Sequence, residues 1–134
     1  MTLQVELVSP ERILFTGDAD MVVCRTTEGE IAFLTGHVPF LGALDVGVVK
    51  IRRSGASDEV AAVHGGFVQV RDDRVIILSD VAELASQIDL ERARQAQQEL
   101  ERRVAHDDDA EVEAGLRRAH ARVEAAGESS GGRG

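Results

Sequence analysis

Ile88-Asp89-Leu90-Glu91-Arg92-Ala93-Arg94 is the stretch that divides this chain. Before it, apolar residues alternate with polar ones and glycine-containing turns recur every few residues. After it, the apolar positions recur at three and four, the period of a helix. Asp89 and Arg92 stand three apart where the period changes. An Asp at that place suits a helix start, and Ser86-x-x-Asp89 resembles an N-terminal capping pattern. The junction therefore reads as a hinge between a β unit and an α unit, with a ligand site as a second reading of its charges.

Upstream, Leu3, Val5 and Leu7 share one face of a first strand that Ser9-Pro10 ends. Arg12–Phe15 is a second strand, Thr16-Gly17-Asp18 a turn, and Ala19–Arg25 a third strand. Ile31–Leu34 follows, then an irregular loop through Gly36-His37-Val38-Pro39. Phe40–Leu44 and Val46–Arg52 read as two strands around Asp45, and Val60–His64 and Phe67–Val70 as two more around Gly65-Gly66. Asp72-Asp73 turns the chain into Val75–Leu78. About nine short strands without an intervening helix predict an antiparallel sandwich or flattened barrel and exclude a parallel βαβ fold. All four Phe (Phe15, Phe33, Phe40, Phe67) fall in this half, which should own the main core.

Downstream, Ala93, Ala96, Leu100 and Val104 mark a first helix over about 89–105. Asp108 or Asp109 can cap a second, whose apolar positions are Val112, Leu116, Ala119, Val123 and Ala126. Two such stripes joined by a short polar loop make an antiparallel helical hairpin. The stripes are narrow and rich in Ala, so at roughly 25 cal/mol per Å2 the hairpin is held modestly and can open while the sandwich stays folded. Residues 1–86 thus form the sandwich, 87–126 the hairpin, and 127–134 (Gly-Glu-Ser-Ser-Gly-Gly-Arg-Gly) a disordered tail by composition. The fold class is α+β, with the β part first.

With 134 residues, 43% of them apolar, one real core is affordable. A net charge of -9 and no long basic segment argue against a nucleic-acid partner. The single Cys24 excludes an intramolecular disulfide and reads as a small buried apolar residue. The first residues lack the basic and apolar regions of a signal peptide, and no apolar run reaches the roughly 20 residues that span a bilayer. Membrane association is expected only through a partner. No phosphate-binding G-x-x-x-x-G-K-[ST] loop is present, and the only lysine is Lys50, inside a strand. His37, His64, His106 and His120 share no metal-ligand spacing, so neither a metal nor a required cofactor is expected.

Two groups of residues remain as candidate sites. Asp89, Arg92, Arg118 and Arg122 can meet if the hairpin folds back, the arginines clamping phosphates and Asp89 taking an amino or ribose hydroxyl group. On composition alone the same charges read first as a solvated helical face. Arg94, Arg102, Arg103 and Arg117 add a basic stripe suited to an acidic partner surface. The His37 loop, with Val38, Phe40 and Leu41, carries more apolar surface than most turns and so suits a partner. On the residues alone it reads first as a loop whose histidine bonds its own backbone.

Five stretches in order resemble the epsilon subunit of bacterial F-type ATP synthases. They are Val8-Ser9-Pro10-Glu11-Arg12-x-Leu14-Phe15-x-Gly17, Thr27-Glu28-Gly29-Glu30-Ile31, Gly36-His37-x-Pro39, Gly65-Gly66-Phe67-Val68 and Ile88-Asp89-x-x-Arg92-Ala93. The likeness runs from Leu3 to about Ala126. It implies a ten-stranded sandwich followed by a helical hairpin, and a non-catalytic subunit of the central rotor stalk. Such a subunit binds gamma and the c-ring, couples proton-driven rotation to catalysis on the beta subunits, and reaches the beta and alpha subunits through its hairpin. It lies peripherally at the cytoplasmic face of the bacterial cell membrane.

The resemblance further implies that the extended hairpin blocks ATP hydrolysis. In some members the folded form binds regulatory ATP through an Ile/Leu-Asp-x-x-Arg-Ala motif. Here that site would be Ile88, Asp89, Arg92 and Ala93, with Arg118 and Arg122 from the second helix. Glu28, Glu30, His37, Val38, Phe40 and Leu41 would be the partner contacts. The chain departs from the family's pattern at Ala32 (often Gly), Thr35 (often Pro) and Gln69 (often Glu). A free-standing ATP-sensing module is the alternative reading.

Overall fold

A computed structural model of the chain describes residues 2–106 and 109–131, with 128–131 described as backbone only. The strands are β1 (Leu3–Ser9), β2 (Arg12–Ala19), β3 (Met21–Thr26), β4 (Gly29–Leu34), β5 (Phe40–Arg52), β6 (Glu59–Arg71), β7 (Arg74–Leu78) and β8 (Ala82–Leu84). A 3-10 turn at Ala85–Gln87 leads into α1 (Leu90–Val104) and α2 (Ala110–Gly131). Strand order is β2-β1-β7-β6-β5-β3-β4, with β8 beside β6. Leu3, Val5 and Leu7 from one end of this sheet share a core with Val22, Cys24 and Phe33 from the other. The sheet is therefore folded over itself as a sandwich, and the two-helix hairpin follows it.

Eight strands stand where the alternation suggested nine and the resemblance ten. The difference lies in β5 and β6, each a single bent strand of 13 residues where two were expected, and in β8, which the alternation did not mark. Their pairing jumps from Leu44↔Gly66 to Val46↔His64, so the ladder bends at Asp45 and Gly65 without breaking. Gly65 (φ 91°) and Gly66 (φ 121°) supply the bend. A Cβ on Gly66 would lie 2.0 Å from the Leu78 carbonyl oxygen, so only glycine fits there. Below the bend β6 pairs with β8, and above it with β7. One pairing is parallel, β1 with β7, where a wholly antiparallel sheet was expected. The β5–β6–β7 meander returns alongside β1, and alternation carries no signal of that non-local pairing.

Gly17 is a strand residue and not a turn, because β2 continues to Ala19. The ring of Phe15 lies over it, 3.2 Å from where its Cβ would be, and Phe40 covers Gly42 in the same way at 2.7 Å. Residues i and i+2 share a strand face, so a glycine there makes room for the ring. The core itself is mostly Val, Leu and Ile. Phe33 alone of the four Phe is fully buried, and Phe67 is 57% exposed. Cys24 is fully buried, and burial, with Glu30 adding, pushes its thiol up to about 12.

Asp89, rather than Ser86, caps α1: its Oδ1 accepts from the Arg92 backbone N–H at 3.1 Å. Asp109 receives the backbone N–H of Glu111 on Oδ1 at 2.9 Å and so opens α2. Asp108, the other candidate cap, lies outside the described residues. In α1 the partly buried positions are Leu90, Gln97, Leu100 and Val104 beside buried Ala93, while Ala96 is exposed. In α2 the expected stripe is present, with Val112, Ala119 and Ala126 buried. Helical backbone runs on to Gly131, past Gly127 where composition set the start of a tail; 132–134 lie outside the described residues.

Candidate functional site

α2 has two apolar faces. Val112, Ala119 and Ala126 lie on the expected stripe, and Gly115 on that side lies against the Leu100 side chain of α1. Ala121 and Ala125 lie well round the helix from it, at about 100° per residue. They pack with Val60 and Ala62 of β6, Ala85 of the 3-10 turn, and half-buried Val46, Val48 and Ile88. This cluster is separate from the sandwich core. The hairpin is thus folded back onto the sandwich through alanines.

Between those two faces α2 carries Arg118 and Arg122. Together with Arg103 of α1 they line an open groove of about 330 Å3, with Leu100, Val112 and Gly115, and with Asp109 and Glu111 at the acidic end. Arg122 Nε–H also donates to Glu83 Oε1 of β8 at 2.6 Å, an ion pair about one-third exposed on each side. The same Glu83 oxygen lies 3.4 Å from Nε2 of His64, whose side chain is only 3% exposed. Burial holds His64 below its ordinary value, Glu83 opposes that shift, and Arg122 and Arg118 add to it.

Of the residues expected to hold ATP, the structure brings Arg118 and Arg122 into one groove and adds Arg103, first read only as part of a basic stripe. Ile88 is half-buried against Ala121 and Ala125, and Ala93 is buried. Asp89 and Arg92 are exposed at the start of α1, joined by the helix cap. Among the described residues no hydrogen bond or ion pair connects that turn to Arg118 or Arg122. Glu83 and His64 were missed as part of this cluster, because only the fold brings positions so far apart in sequence together.

The second candidate surface is built around the His37 loop and the turn between β6 and β7. Gly36 N–H donates to Asp73 Oδ1 at 2.7 Å, which fixes the His37 loop to the β6–β7 turn. His37 bonds the Val38 carbonyl through Nδ1 at 2.8 Å and sets its ring edge against Phe33, 4.9 Å away. It holds the loop in shape. Val38 and Leu41 stand out at 69% and 73% exposed, Phe40 is half-buried, and Glu28 and Glu30 are exposed on the β3–β4 hairpin.

Leu41 borders an apolar row that the strand alternation hid. Ala43, Phe67, Leu78, Val8 and Ile13 are register partners across β5, β6, β7, β1 and β2. Phe67, Leu78 and Ile13 in that row are more than half exposed. A row of this kind on an open sheet face has the character of a protein contact. The unbroken apolar run Val75-Ile76-Ile77-Leu78 was its one trace in the sequence.

Residues 2–85 match the model of the beta-sandwich domain of the ATP synthase delta/epsilon chain. The ATP synthase epsilon chain of Thermobifida fusca is 51% identical over 127 residues, covering 92% of this chain and 91% of that one. This chain belongs to the ATP synthase epsilon family. The epsilon chain of Halalkalibacterium halodurans is 43% identical over 94% of this chain and 98% of its own length. A chain in the solved Euglena gracilis mitochondrial ATP synthase (OSCP/F1/c-ring) superposes with a TM-score of 0.80 at 25% identity, covering 93% of this chain and 81% of that one. The family match ends at Ala85, where the 3-10 turn before the hairpin begins. No helix among the described residues is long and apolar enough to cross a membrane.

Proposed function

We propose that this epsilon-family chain is a non-catalytic rotor subunit whose sandwich joins the central stalk and whose hairpin restrains ATP hydrolysis. The observation that carries the reading is the seat of α2. Ala121 and Ala125 bury little apolar area each, so a few kcal/mol of partner or ligand binding is enough to choose between docked and extended hairpins. The apolar row from Ala43 to Ile13 is the surface offered to gamma, and exposed Val38, Leu41, Glu28 and Glu30 are offered to gamma and the c-ring. The extended hairpin, with its arginines, would reach the acidic surfaces of the beta and alpha subunits. In this role the chain lies at the cytoplasmic face of the membrane through the complex alone.

ATP acts here as a regulatory ligand of the docked form. Arg103, Arg118 and Arg122 give the phosphates a basic groove, and Arg122 keeps N–H donors free while its Nε holds Glu83. Asp89 and Arg92 would serve the rest of the nucleotide from the start of α1.

The test is ATP hydrolysis by the catalytic hexamer with gamma, reconstituted with the full chain or with residues 1–86. Both should assemble, and hydrolysis should be several-fold faster with the shorter chain. Failure of the shorter chain to assemble would remove the two-part division, and equal rates would remove the inhibitory role. Calorimetry with the isolated chain tests the ligand separately: ATP should bind, and Arg122→Ala should weaken it. Loss of ATP binding alone leaves the rotor role standing.

A further inference from the structure

The seat of the hairpin contains one buried titratable group, His64, at the bend of β6. Its surroundings come from every element packed on it. Glu83 of β8 faces Nε2 at 3.4 Å, and Arg118 and Arg122 of α2 act on the ring from the hairpin side. On the β5 side its register partner is Val46, whose N–H is taken by the exposed Asp45 carboxylate at 2.8 Å. From the β7–β8 connection the Val81 carbonyl accepts the His64 backbone N–H at 3.0 Å. With Nε2–H donating to Glu83, Nδ1 is left as a buried acceptor with no partner among the described residues. Protonation would turn that acceptor into a second buried donor.

We propose that His64 and Glu83 form a proton-sensitive latch on the hairpin: with His64 neutral, Glu83 holds Arg122 and α2 stays docked, and protonation of His64 favours release of α2. The inference rests on the reading that the hairpin leaves the sandwich. Its sign follows from what moves. Undocking takes away the covering helix and both arginines, which together disfavour the imidazolium, while Glu83 stays beside His64 because β8 remains paired with β6. The undocked form therefore binds the proton more tightly. Docking is strongest above the ordinary histidine value of about 6.5 and weakens as pH falls through it, by at most about tenfold per pH unit for one proton. Protonated His64 also competes with Arg122 for the one carboxylate oxygen that both approach.

The experiment uses the full chain with fluorophores at Ser57→Cys and Gln98→Cys. Both positions are exposed, and buried Cys24 stays unlabelled. Energy transfer reports the docked fraction from about pH 8 to about pH 5, the span across which histidine titrates. The docked fraction should fall with pH in the parent chain, and His64→Gln should flatten the profile. A second measurement guards against a misfolded variant: the His64 ring, followed by NMR, should titrate at higher pH in Arg122→Ala than in the parent. A pH-independent docked fraction, an unchanged slope in His64→Gln, or identical His64 titrations overturns the latch. If Arg122→Ala releases the hairpin while pH does not, the latch falls and the moving hairpin stands. If neither moves it, both fall.

Discussion

The two apolar clusters of this chain differ in kind. The sandwich core joins Leu3, Leu7, Val22, Phe33, Ile51 and Ile77 from five strands, so each large side chain is enclosed by several elements. The seat of the hairpin joins Val60 and four alanines, Ala62, Ala85, Ala121 and Ala125. Burying a Leu or Phe is worth roughly 1.5–3 kcal/mol, whereas an alanine contributes about one methyl group. Alanine permits close approach of helix and sheet without committing much free energy. In the proposed function the first cluster is permanent and the second exchanges.

The largest expected effect is in the sandwich. Gly66→Ala sets a Cβ against the Leu78 carbonyl at a positive φ, so it should cost roughly 3 kcal/mol or more. Thermal unfolding of the whole sandwich would record it. A small loss would mean that the β6 bend is softer than the register implies. Next comes the seat itself. Ala125→Leu overpacks a fully buried position and should cost roughly 1–3 kcal/mol. It should raise proteolytic cleavage near Ile88 and leave sandwich unfolding almost unchanged. Equal losses in both regions would erase the contrast. The smallest effect belongs to the junction: Asp89→Ala removes the α1 cap at about 1 kcal/mol, read as lower helical content in circular dichroism.

The β-to-α junction was the most legible part of the sequence, because Asp89 is a local signal and the change of period on either side of it is long. Short-range patterns also placed α1, α2 and most strand positions. Asp45 and Gly65-Gly66 misled because turn-forming residues look the same in a true turn and in a bent, continuous strand. Gly17 misled for a related reason, since it is a strand residue covered by a Phe two positions earlier. Ala121 and Ala125 escaped notice because alanine suits a buried and an exposed helix face equally well. The candidate site was half visible. Arg118 and Arg122 share a face by spacing alone, but Glu83, His64 and Arg103 join them only through the fold. The outer row from Ala43 to Ile13 needed strand register, which alternation within one strand does not contain.

Native-state hydrogen exchange on the full chain tests the separation of the two regions most directly. Amides of α1 and α2 should exchange together through an opening several kcal/mol easier than the one that exposes β5 and β6. The core amides of β5 and β6 should keep the protection of global unfolding, with Ala125→Leu lowering only the helical set. If α1, α2, β5 and β6 all exchange with one free energy, and Ala125→Leu lowers them equally, the hairpin and sandwich are a single cooperative unit and the account is contradicted.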